Sequence, residues 1–341
     1  MTKPDFDFGS AVGHLFVTFG RRPGGTLWVA LWNAILMTAV SALIILTLWP
    51  AFSAIWDISL AGREPSPNEV WSILAPFMAA IPLSFLGGVA AALMAQGAWL
   101  RLLTRNEVAA GIPLRFGGDE LRLLGVNLIY FILGLVVYVA FIIVAAIIAL
   151  IVGGSDGGMA AGATAGLLGG LFVLFGMVAL LYLAIKLSAA PALTVHDRKL
   201  HFFESWSATQ KVFWWILLSY LVMLIIIFAT QMILGTVVQF IFLGAFIPLI
   251  MEMAQLGDSG VDDPQVFLTM LQDQFSNPAT LVVLGIGVLL SLMLQTLTEA
   301  LWHSVGAYTA IRHRTDVTPV AAPEPASTGD TESGSTEADS E

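Results

Sequence analysis

Gln295, Glu299 and His303 recur every four positions near the end of the last apolar segment of this chain. That spacing puts them on one helical face, with Thr296 and Ser304 beside it. An acid and a histidine inside a membrane helix are costly unless they line a path or find partners. The stripe therefore reads either as packing against neighbouring helices or as a proton-responsive pair at the edge of a cavity. Counted from a segment start near Thr280, Glu299 comes about 20 residues on, near the inner interface, and it is expected to be the only acid within a helix rather than in a loop or tail. His196 and His201 lie five positions apart beside Asp197; a metal site there needs a third ligand, and a solvated loop is expected. Asp258, Asp262 and Asp263 lack the spacing and turn glycine of a calcium loop. No nucleophile elbow, phosphate loop, zinc signature or dinucleotide fingerprint occurs. With no cysteine, neither a disulfide nor a thiolate metal site can form. The sequence thus offers no catalytic residue, cofactor site or metal centre, and reads as a protein that is not an enzyme.

What must position such a stripe is a set of membrane helices. Of the 341 residues, 57% are hydrophobic and 11% charged, against about 25% charged in a soluble domain. Six uncharged stretches, 27–49, 71–100, 123–154, 157–185, 212–251 and 274–298, exceed or match the roughly 20 residues needed to cross the hydrocarbon. The first 26 residues carry Asp5 and Asp7 and precede an apolar run longer than the core of a cleavable signal, so no signal peptide is expected. From Thr315 the chain carries seven of its 24 acids and no base. That composition cannot bury enough surface to offset chain entropy. Residues 1–26 therefore read as an amphipathic N-terminal segment, 27–314 as a six-span domain, and 315–341 as a disordered acidic tail.

Assigning the connections alternately to two sides places 13 of the 14 Lys and Arg on one side and leaves only Arg63 on the other. Basic residues in short loops are retained in the cytoplasm, so both termini are expected there.

The chain shows a weak internal repeat. "FGSAVGHLFVTFGRR" from Phe8, "FGGDELRLLG" from Phe116 and "FESWSATQKVFWW" from Phe203 each precede an odd-numbered span. Phe8, Val12, Leu15, Phe16 and Phe19 share a helical stripe, as do Phe202, Trp206 and Phe213. This pattern fits three hairpin units, each led by an amphipathic helix lying in the interface. Phe203, Trp206 and Trp214 are the expected anchors, with Lys211 reaching the headgroups.

The segments "KLSAAPALTVHDRKLHFFESWSATQKVFWWILLSY", "PLRFGGDELRLLGVNLIYF" and "ALWHSVGAYTAIRHR" resemble the multi-span membrane domain found in front of some bacterial glycerophosphodiester phosphodiesterases, and stand-alone proteins similar to it. The resemblance spans most of residues 6–312. It implies six helices in the bacterial inner membrane and, for stand-alone members, no established activity. The phosphodiesterase barrel would need about 250 residues, and only a short tail follows the last span.

Gly158, Gly162, Gly166 and Gly170 repeat every four residues in the fourth span. Such a face lets helices approach closely, either within the chain or in a homo-oligomer. Pro76, Pro82 and Gly87–Gly88 in the second span, and Gly235, Gly244 and Pro248 in the fifth, mark where helices could break. The fifth stretch, about 60 Å long as one helix, is expected to cross by Gly235 and then turn along the interface or re-enter. The reading is an all-α integral membrane protein: a scaffold or regulatory component that meets membrane lipids and an envelope protein partner, not nucleic acid. The alternative is a small-molecule transporter or channel with its site near the broken helices.

Overall fold

A computed structural model describes residues 6–153, 159–259 and 264–317, and among these no strand occurs. Ten helices follow in order: α1 (Phe8–Arg21), α2 (Pro23–Ala61), α3 (Pro67–Arg105), α4 (Gly118–Gly153), α5 (Met159–Leu187), α6 (Ala190–Asp197), α7 (Glu204–Gln210), α8 (Phe213–Ser259), α9 (Pro264–Ser276) and α10 (Pro278–Val317). Six of them, α2, α3, α4, α5, α8 and α10, are long and apolar enough to span a membrane. They pair as three antiparallel hairpins, α2–α3, α4–α5 and α8–α10.

Helix ends follow local chemistry. Asp7 caps α1 by accepting from the Gly9 amide at 3.0 Å. Ser66 and Glu69 form a reciprocal capping box on α3, which satisfies amides that have no partner within the helix. Gly62, at φ +58°, ends α2 in the left-handed conformation that glycine tolerates.

Proline and glycine do not break the long helices. α3 runs through Pro76 and Pro82, and α8 runs 47 residues through Gly235, Gly244 and Pro248 without the expected turn. A mid-helix glycine costs only about 1 kcal/mol relative to alanine, too little to interrupt so long a hydrogen-bonded ladder. The last span starts at Pro278, behind an Asn277 cap and close to the expected start near Thr280. It continues well past Thr298, so "ALWHSVGAYTAIRHR" belongs to the same helix.

The packed core sits at one end of the bundle. Val29, Ala30, Trp99, Leu102, Leu193, Ile216, Ala300 and Val305 are buried there, around the short α6. Towards the other end the long helices expose Leu, Ile, Phe and Trp almost continuously, as helices solvated by lipid do. α6 lies where a solvated loop was expected. Six of its eight residues are buried, and it packs against α3, α4 and α10.

Two of the three expected lead-in helices exist. α1 buries Ala11, Leu15 and Thr18 and leaves Phe16 and Phe19 exposed. α7 leads into α8, with Phe203 82% and Trp214 76% exposed, Trp206 partly exposed and Lys211 at its C-cap. The second is missing, because α4 starts at Gly118, two residues after Phe116, and enters its span directly.

At its two described positions the glycine face meets no neighbour among the described residues. A Cβ on Gly166 or Gly170 would meet nothing within 4 Å; Gly158 lies outside the described residues, as do the surroundings of Gly162. The glycine that packs in α5 is Gly176, whose missing side chain leaves room for the Phe141 ring of α4.

Candidate functional site

Two polar clusters close the packed end. In the first, Arg101 of α3, 3% exposed, pairs with Glu120 of α4, which is fully buried. The second oxygen of Glu120 accepts from the Gly117 amide at 2.9 Å. Arg105 and Arg122 hold Asp119 at 2.7 and 3.1 Å, and Arg105 also donates to the Val195 carbonyl of α6 at 2.9 Å. A side chain on Gly97 would collide with the Glu120 carboxylate. Buried ions persist only when paired and hydrogen-bonded, and each group here meets that condition. Glu299 is therefore not the only acid within a helix: Asp119 and Glu120 occupy the first turn of α4, where the helix dipole favours them.

The second cluster joins the α6–α7 connection to the end of α10. Arg314 pairs with Asp197 and bridges both oxygens of Glu204, at 2.7 and 3.0 Å. His201 lies 2.6 Å from Glu204 and 3.2 Å from Asp197, and His313 lies 3.6 Å from Glu204. Burial works against the Glu204 charge, but the Arg314 hydrogen bond and charge, with His201 and His313, outweigh it and hold the carboxyl below its ordinary range. Glu204 is the third ligand that a metal at Asp197 and His201 would need, and the three ligand atoms lie within 4.8 Å of one another. Arg314 already supplies the counter-charge, so the arrangement is a latch between α10 and the connection. His196 stands apart from it, with a buried, unpartnered Nδ1.

The predicted stripe is partly assembled. His303 Nε2 lies 3.9 Å from Glu299 Oε1, and Glu299 Oε2 accepts from Asn33 of α2 at 3.4 Å. Asn33 is fully buried, and its Oδ1 has no partner. Gln295 does not join the pair. It lines a separate hollow of about 400 Å³ with Gln231, Gln239 and Ser291.

His303 also faces a cavity of about 510 Å³ between the α4–α5 hairpin and α3, α6, α8 and α10. Its geometry follows from the break between α5 and α6. Ser188–Ala189 and Pro191 stop α5 at Leu187, and side chains satisfy the carbonyls left over. Tyr130 donates to Leu187 O at 2.5 Å, Ser205 to Lys186 O at 2.9 Å, and Ser188 to Ile185 O at 2.8 Å. Gln96 and Asn127 bond each other at 2.8 Å on the facing wall. Polar groups thus gather at the packed end of the cavity. The remaining walls are apolar, and Leu180, Leu221, Leu224 and Trp302 are exposed, so the space opens sideways between helices.

Sequence reasoning missed Asn33, Arg101–Glu120 and the α5–α6 break. Arg101 and Arg105 sit one helical turn apart, and Asp119–Glu120 stands in a quoted motif, so those signals were present. Asn33 gave none. Fold and site together define an all-α, six-span membrane-type protein with a laterally open cavity. No family model, curated protein or solved structure matches the chain.

Proposed function

We propose that this chain is a non-catalytic multi-span protein of the bacterial inner membrane, with both termini cytoplasmic, that holds a lipid between its α4–α5 hairpin and the rest of the bundle. In this reading it serves as a lipid-responsive scaffold or regulatory component for an envelope protein partner. The observation that carries the reading is the cavity of about 510 Å³, apolar along its length, polar at one end and open sideways; its size lies within the range of small-ligand sites. The resemblance noted above to the membrane domain of certain phosphodiesterases supports the same placement.

Gly134 lines this cavity, and a Cβ there would meet nothing within 4 Å. Gly134→Phe should therefore fill the cavity without strain. Native mass spectrometry of the purified protein should find co-purified lipid on the parent and less of it on the variant; equal lipid on both would sink the reading. Orientation is tested by reporter fusions after Arg22, Arg105, Lys199 and Arg314, all expected in the cytoplasm, against fusions at Arg63, Ser155 and Asp262, expected outside.

One observation favours transport as a second reading. Two members of the α10 stripe line different hollows, His303 that of about 510 Å³ and Gln295 that of about 400 Å³, with Glu299 between them. The unbroken α3 and α8 remove the other support for that reading.

A further inference from the structure

Lys186, in the last turn of α5, is 4% exposed, although a lysine at a membrane boundary ordinarily extends to water. Its Nζ lies 5.4 Å from the ring centre of Trp206 and 5.7 Å from those of Tyr182 and Phe213. The backbone there is pinned, because the Ser205 hydroxyl donates to its carbonyl at 2.9 Å. Arg101, Arg105 and Arg314 at the same end of the bundle all meet carboxylates. Among the described residues Lys186 meets none, and no oxygen accepts from its Nζ.

A caged ammonium gains from the ring faces, but its three N–H donors still lack an oxygen acceptor. Beside it lies a groove of about 600 Å³, lined by the same three rings and by Gln210, Trp214 and Leu217. Val178 and Leu181 extend the groove along α5 as an apolar wall. The groove therefore offers one fixed cation at its head and hydrocarbon along its length.

We propose that Lys186 and its ring cage form a binding site for the phosphate of an anionic phospholipid whose acyl chains run along α5 and α8. A zwitterionic choline headgroup fits less well, since its cation would meet a cage already filled by a like charge. Free phosphate gains nothing from the apolar wall. The inference deepens the lipid-binding reading above but stands on an adjoining groove, which shares Leu181 and Leu217 with that cavity.

The test uses the full chain, purified and delipidated in detergent, then titrated with short-chain phosphatidylglycerol, short-chain phosphatidylcholine and inorganic phosphate, with native mass spectrometry as readout. Phosphatidylglycerol should bind the parent in preference to the other two. Lys186→Met should weaken that binding about tenfold or more, the loss of one charge-assisted hydrogen bond. The same variant should melt no lower than the parent, because it removes a buried charge without an anionic partner. Equal phosphatidylglycerol binding by parent and variant overturns the proposal, as does inorganic phosphate competing at equal concentration. If Lys186→Met fails to fold, Trp214→Ala, which trims an exposed ring of the groove, must still weaken phosphatidylglycerol binding or the proposal falls. Gly134→Phe, at a residue that does not line the Lys186 groove, separates the two sites: it should displace lipid from the cavity of about 510 Å³ and leave phosphatidylglycerol selectivity intact.

Discussion

Gly306 of α10 stands so close to the break between α5 and α6 that a Cβ on it would lie 2.6 Å from the Ser188 carbonyl oxygen. The helix can cross there only because the residue has no side chain. Gly306→Ala must push α10 away from backbone, not from a flexible side chain. A loss on the order of 1–3 kcal/mol is expected, read as a lower melting temperature in detergent. Gly134→Ala on α4 meets open space and should leave the melting temperature unchanged or slightly raised.

Arg101 and Glu120 should behave as a unit. Arg101→Met leaves the buried Glu120 carboxylate with only the Gly117 amide, and Glu120→Leu leaves the guanidinium with Asp119 at 3.8 Å and the Pro113 carbonyl; breaking such a pair costs about 3–5 kcal/mol. The double variant, which removes both charges, should recover most of that loss. A double variant as unstable as either single one would show that the two charges do not act together.

The Arg314 latch carries a pH signature. The folded pKa of Glu204 lies below its ordinary value of 4.5, so the folded state binds fewer protons than the unfolded one in that window. The latch therefore contributes its full stability above pH 4.5 and loses it as pH falls through the lowered value. Melting temperature measured from neutral pH down to about pH 3 should fall less steeply in Arg314→Gln than in the parent. Parallel curves would remove Glu204 from the account.

Glu299→Gln keeps the shape of the side chain and its contact with Asn33 while removing the charge. If the stripe serves packing, the variant should insert and melt like the parent at every pH tested. A pH-dependent lipid occupancy or solute flux that vanishes in Glu299→Gln would instead favour the transport reading.

The six spans were legible because an uncharged run of about 20 residues has almost no other use. Their true ends were not, because a helix continues as long as its backbone ladder is satisfied, and the residues beyond Trp49, Met251 and Thr298 offer nothing better. α6 was hidden by its length: "APALTVHD" is too short for a helical period to show against a loop. Within the candidate site, Glu299 and His303 could be paired from their spacing. Asn33 could not, since it reaches Glu299 from 266 positions away and a lone asparagine in an apolar span carries no mark of its partner. Lys186 was read for its charge alone. Its seclusion depends on Trp206 folding back from α7, beyond the intervening α6, which no local pattern announces.

The confinement of the packed core to one end has a mechanical meaning. Away from that end the Phe52–Phe77 contact still ties α2 to α3, and Gln274 ties α8, α9 and α10, but α4 buries almost nothing, so the spacing of its hairpin from the others is set by the hydrocarbon around it. The bilayer is then the missing half of the tertiary structure. A thinner membrane, or a short-chain detergent, would relax the far ends of the hairpins against one another while the Arg101–Glu120 end held its form, and spin labels at Trp49 of α2 and Ile143 of α4 would drift apart long before any at Trp99 reported a change.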